Sequence, residues 1–114
     1  MVIGQPWVAG AFGATLLCGM LLGGVVFAAD EAGQKLYQRD CQSCHGQDGR
    51  GNPQLEKVLK VTIPPITAAA LAQQNDTEVL HTIAEGKGKM PGFAKKLSAE
   101  EQRQLLNYIK TLGQ

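Results

Sequence analysis

Cys41-Gln42-Ser43-Cys44-His45 is the stretch that decides how this chain folds. Two thiols three residues apart, followed at once by an imidazole, are spaced to bond the two vinyl groups of a haem as thioethers and to turn His45 Nε2 toward its iron. One turn of helix brings both sulfurs to the same side. Two other uses of such a run fit less well. A tetrahedral zinc site needs a full shell of N or S ligands, and outside the run the chain offers only Cys18, inside an apolar segment, and His81. A thioredoxin-like dithiol belongs beside a βαβ pattern, whereas the sequence downstream reads as helices and turns.

Working outward, Ala32 to about Cys44 reads as a helix, with Leu36, Tyr37, Cys41 and Cys44 at helical spacing. Gly46, Asp48-Gly49 and Gly51-Asn52-Pro53 read as a loop that ends it. The prolines of Ile63-Pro64-Pro65-Ile66 favour extended backbone, and a short helix is expected from Thr67 to Ala72. Asn75 or Asp76 caps a further helix carrying Val79, Leu80, Ile83 and Ala84, with Gly86 as its stop. Ser98-Ala99-Glu100-Glu101 is a capping box, and the helix it opens buries Leu105, Leu106, Tyr108, Ile109 and Leu112. No strand signal competes, so the expected fold is all-α: three to five helices wrapped around one covalently bound haem, preceded by an N-terminal hydrophobic segment.

That segment is the uncharged run of residues 1–29, apolar, small or hydroxyl-bearing from Val8 to Ala29. Cleavage after Ala28 by a signal peptidase fits Val26-Phe27-Ala28, although no Lys or Arg precedes the run. An uncleaved helix fits too, since residues 8–29 can span a bilayer and Gly19 and Gly23 have the spacing of helix-pairing glycines. Cys18 is read as apolar filler. The division expected is a signal peptide or membrane anchor over 1–28 and a haem domain over 29–114, exported to the periplasm or an equivalent compartment. A domain of that length builds a marginal core by itself, which a buried haem would complete.

A haem used for electron transfer needs a second axial ligand. Met90 is the only methionine beyond the apolar segment, and it lies in Gly86-Lys87-Gly88-Lys89-Met90-Pro91-Gly92-Phe93. Glycines let backbone approach a ring closely and Pro91 fixes its direction, while a thioether favours ferrous iron. His81 is the rival, but Glu78, Thr82 and Glu85 share its polar helix face.

Together these residues resemble a small monohaem cytochrome c of the His/Met type, the class I family, over almost all of the chain after Asp30. Gly33 and Tyr37 precede Cys41 by eight and four residues, as in that family. The resemblance implies that Gly33 lets the terminal helix cross the first one closely, with Leu105 and Tyr108 completing the crossing. It implies that Pro53 and Leu55 form the family's Pro-x-Leu element, whose proline carbonyl accepts the Nδ1 proton of the proximal histidine, and that Met90-Pro91 with Phe93 forms the distal loop. Cys41 and Cys44 would then carry haem c, with His45 and Met90 on its iron.

The function this implies is electron carriage by Fe(II)/Fe(III) cycling, without catalysis. Alternatives are a tethered cytochrome subunit of a dehydrogenase or oxidase, and a peroxidase or gas sensor with a labile distal ligand. The last wants a distal acid or base, and neither His nor Arg neighbours Met90 in sequence. Eleven basic residues against ten acidic ones give a net charge of +1, which predicts little by itself, and with no extended basic stripe or aromatic stacking pattern nucleic-acid binding has no support. Locally, Lys87, Lys89, Lys95 and Lys96 gather around the Met90 loop and are expected to dock an acidic patch on a redox partner.

Overall fold

The computed structural model describes residues 2–4, 10 and 24–114. Cys18, Gly19, Gly23 and most of the apolar run lie outside the described residues. Six helical segments follow one another: α1 (Gly24–Asp40), α2 (Gln42–His45), α3 (Pro53–Leu59), α4 (Ala68–Leu71), α5 (Asp76–Glu85) and α6 (Ala99–Ile109). The fold is all-α, with no strand among the described residues. The count exceeds the expected three to five because the break at Cys41 separates α2 as a single turn and because α3 begins at the end of the expected Gly51-Asn52-Pro53 loop, where no helix was expected.

The helix across the Cys run breaks only at Cys41, which parts α1 from α2. The hydrogen-bond ladder carries on through the break, Cys41 N–H donating to the Tyr37 carbonyl and His45 N–H to the Cys41 carbonyl, each at 2.9 Å. α3 forms because Asn52-Pro53 is a helix start. The Asn52 side chain accepts from the N–H groups of Gln54 and Leu55, both at 3.2 Å, and Pro53 occupies the first turn, where its missing donor costs nothing. Thr67 caps α4, and, as the sequence indicates, Asn75 caps α5 and Ser98 opens α6 with its full capping box.

α1 crosses α6 at Gly33. A Cβ at Gly33 would lie 2.3 Å from the Gln104 carbonyl oxygen and 2.8 Å from Tyr108 Cβ, so only a hydrogen fits there. Around this crossing Tyr37 and Leu105 are fully buried, and Leu36, Leu97, Leu106, Ile109 and Leu112 join them. The Tyr37 and Tyr108 rings meet at 5.5 Å and 55°, a tilted pair. The crossing expected from Gly33, Tyr37, Leu105 and Tyr108 is present. It fixes the end of α1, and with it the direction in which Cys41 emerges.

Candidate functional site

The turn after α1 is tied down from several sides. The Tyr37 hydroxyl donates to the Gly46 carbonyl at 2.6 Å, Gly51 N–H donates to the His45 carbonyl at 2.7 Å, and Asn52 Nδ2 donates to the Ser43 carbonyl at 2.9 Å. Gly46 takes φ +79°, and a Cβ there would meet the Gly51 carbonyl oxygen at 2.6 Å. These bonds hold Cys41, Cys44 and His45 in one short, inward-facing turn.

Opposite lies the segment that follows α5. Lys87 and Met90 exchange two backbone hydrogen bonds of 3.0 Å, and the chain returns to α5 where Phe93 N–H donates to the Ile83 carbonyl and Ala94 N–H to that of Ala84. Gly92 rests so tightly on the end of α5 that a Cβ would lie 2.6 Å from the Ala84 carbonyl oxygen. Met90 is thus fixed by backbone, as the glycines and Pro91 suggested.

Between these two elements lies a cavity of about 450 Å³. Cys41, Cys44 and His45 line it from one side and Met90, Pro91 and Phe93 from the other. All four residues expected to hold a haem therefore face one space. Leu59, Val61, Ile63 and Pro64 supply further apolar wall. Sequence reasoning passed over these, although Leu59, Val61 and Ile63 alternate with polar residues, a signal for a one-sided apolar segment. His81 is exposed and does not line the cavity.

Burial sets the electrostatics of the site. Burial pushes the Cys41 thiol up to about 11, with the Asp40 carboxylate and Cys44 adding to it, so the sulfur stays an uncharged thiol at neutral pH. Burial also holds the His45 imidazole below its usual value, in the neutral form that coordinates iron. His45 Nδ1 is buried with no hydrogen-bond partner. The Pro53 carbonyl therefore does not take its proton as the Pro-x-Leu reading implied; here Pro53 opens α3. Lys87 and Lys89 are exposed at the cavity rim and Lys95 is exposed nearby, whereas Lys96 is engaged with Asp40.

The site fits a haem: a soft ligand and a neutral imidazole face each other across an apolar cavity, with two thiols at one wall. Comparison with known proteins agrees. The family model for cytochrome c oxidase, cbb3-type, subunit III, matches residues 28–109. The chain is 32% identical over 88 residues to the cbb3-type cytochrome c oxidase subunit CcoP of Azospirillum brasilense, covering 75% of this chain and 29% of that protein. It is 29% identical to cytochrome c6 of Gracilaria tenuistipitata var. liui over 75% of each chain. Among solved structures, the KustC0563 c-type cytochrome superposes with a TM-score of 0.58 at 31% identity, over 68% of this chain and 93% of that one. The chain spans less than a third of the length of the oxidase subunit it matches. With a matching family model over most of its length and a cavity that brings the cysteine run to Met90, the chain belongs to the cbb3-type cytochrome c oxidase subunit III family, a c-type cytochrome domain whose cofactor is covalently bound haem c.

Proposed function

We propose that this protein is a single-haem electron carrier, with Cys41 and Cys44 as the thioether sites and His45 and Met90 as the axial ligands. The observation that carries this reading is the convergence of those four side chains on one apolar cavity from two separate elements. Haem c, when bound, supplies one-electron exchange between Fe(II) and Fe(III). The chain's own residues do the rest. Tyr37, Asn52 and Gly51 orient the proximal turn, the α5 anchor holds Met90 opposite it, and Leu59, Val61, Ile63 and Phe93 keep water from the ring. His45 and Met90 would hold the haem iron from two sides, which would leave no place for peroxide or a gas, and Met90 offers no acid or base for such chemistry.

A second reading makes the domain the tethered cytochrome subunit of an oxidase. It is favoured by the family match and by α1, which carries the last uncharged residues, 24–29, in the same helix as Gly33 and Tyr37. Among the described residues no helix is long and apolar enough to cross a membrane. Either form places the domain in an exported compartment, where covalent haem attachment is completed. Partners are redox proteins, met through an acidic patch that faces Lys87, Lys89 and Lys95.

The test is the visible spectrum of the purified protein with and without CO, together with its intact mass. One added haem and no CO binding by the ferrous form are expected; rapid CO binding would overturn carriage in favour of an open-site sensor. The same mass reports whether residues 1–28 remain.

A further inference from the structure

Asp40 stands next to Cys41 in the wall of the haem cavity. Both of its oxygens are taken by cations from different elements. Arg39 donates to Oδ2 from Nε at 3.0 Å and from its terminal nitrogen at 2.6 Å, while Lys96, which follows the Met90 loop by a few residues, donates to Oδ1. The carboxylate side chain is only 2% exposed, whereas Arg39 and Lys96 are 54% and 55% exposed. One negative charge is thus shielded from water beside the cavity, and two positive charges sit farther out, where solvent screens them. Beyond Asp40, Arg39 also feels Glu101 and Cys41.

We infer that the Arg39–Asp40–Lys96 cluster sets the reduction potential of the haem by its charge, Asp40 favouring the ferric state and the two cations opposing it. The inference rests on the haem placement proposed above. Ferric iron carries one more positive charge than ferrous, so a neighbouring anion stabilises it and a neighbouring cation destabilises it. The screening difference makes Asp40 the dominant member. Its ion pairs keep it ionised and fixed, because a carboxylate this shielded needs partners to stay charged.

Three single variants of the full haem-bearing protein test this by equilibrium redox titration. Asp40→Asn is expected to raise the potential, shifting the ferric-to-ferrous ratio at a fixed ambient potential by roughly threefold to tenfold, where tenfold is about 59 mV for one electron. Lys96→Gln and Arg39→Gln are expected to lower it by less. The double variant Asp40→Asn/Lys96→Gln should fall between the two corresponding singles. A purely structural role predicts movement in one direction for all of them, because each loosens the same cluster. Shifts of common sign, or none, would overturn the inference. Arg39→Gln changes an exposed side chain and keeps the test decisive if Asp40→Asn folds poorly. Failure of the underlying haem assignment would appear separately, as an unmodified protein without His/Met spectral features before any substitution.

Discussion

The crossing of α1 with α6 and the walls of the haem cavity are built on opposite terms. At the crossing, protein meets protein: Gly33 brings two backbones together, and Tyr37 and Leu105 are sealed from water. At the cavity, apolar side chains face a space that no side chain fills, and Leu59 in its wall is left 40% exposed. One half of the domain carries its own core; the other half has a core only when its cofactor supplies it. The difference explains how a chain this short folds, and it says where each kind of damage will show.

The largest effect should come from removing the cofactor. Replacing Cys41 and Cys44 together with Ala leaves the apolar walls without a partner, and the protein should lose cooperative thermal unfolding while keeping part of its helical circular dichroism from α1 and α6. A sharp transition close to that of the parent would show that the two halves do not differ as described. Next in size is Gly33→Ala, which forces a Cβ to within 2.3 Å of the Gln104 carbonyl oxygen and should cost about 3 kcal/mol in denaturant unfolding of the haem-bearing protein. A change below about 1 kcal/mol would mean that α6 can slide away at little cost.

Tyr37→Phe sharpens the comparison because this residue belongs to both regions. It keeps the ring packed on Tyr108 but leaves the Gly46 carbonyl without its donor, for an expected loss of about 1–2 kcal/mol. Ser98→Ala, which removes only the capping box of α6, should cost about 1 kcal/mol and leave the visible spectrum untouched. The smallest effect is that of pH. Burial lowers the folded value of His45, so below about pH 6.5 the unfolded chain binds a proton that the folded one does not. Stability is therefore complete above that pH and declines as pH falls through it, a trend that iron ligation of the same imidazole reinforces. Melting temperatures at pH 7.5 and 5.5 should differ accordingly, and Asp40, held below the ordinary carboxylate range by Arg39, should add its own loss only at still lower pH.

The sequence was most legible where local chemistry alone determines structure. The capping box at Ser98, the stop at Gly86 and the helical spacing of Leu105, Leu106 and Ile109 need nothing from the rest of the chain. The cysteine run and Met90 were legible because their residue types are scarce here and their chemistry is specific. α3 was hidden because Gly51-Asn52-Pro53 serves equally as a turn and as a helix start, and the choice falls to the Asn52 side chain, which caps α3 at one end and reaches the Ser43 carbonyl at the other. The Pro53 contact to His45 failed for a related reason: once Pro53 begins a helix, its carbonyl faces along that helix. The Asp40 cluster carried no sequence signal, since Lys96 reaches it across 56 positions of chain.

The central claim is that Met90 and His45 hold the haem iron from opposite walls of one cavity. Its most direct test is the far-red charge-transfer band of the ferric protein, recorded for the parent, Met90→Ala and His81→Ala. The band should be present in the parent, absent in Met90→Ala and unchanged in His81→Ala; a band that survives Met90→Ala would contradict the account.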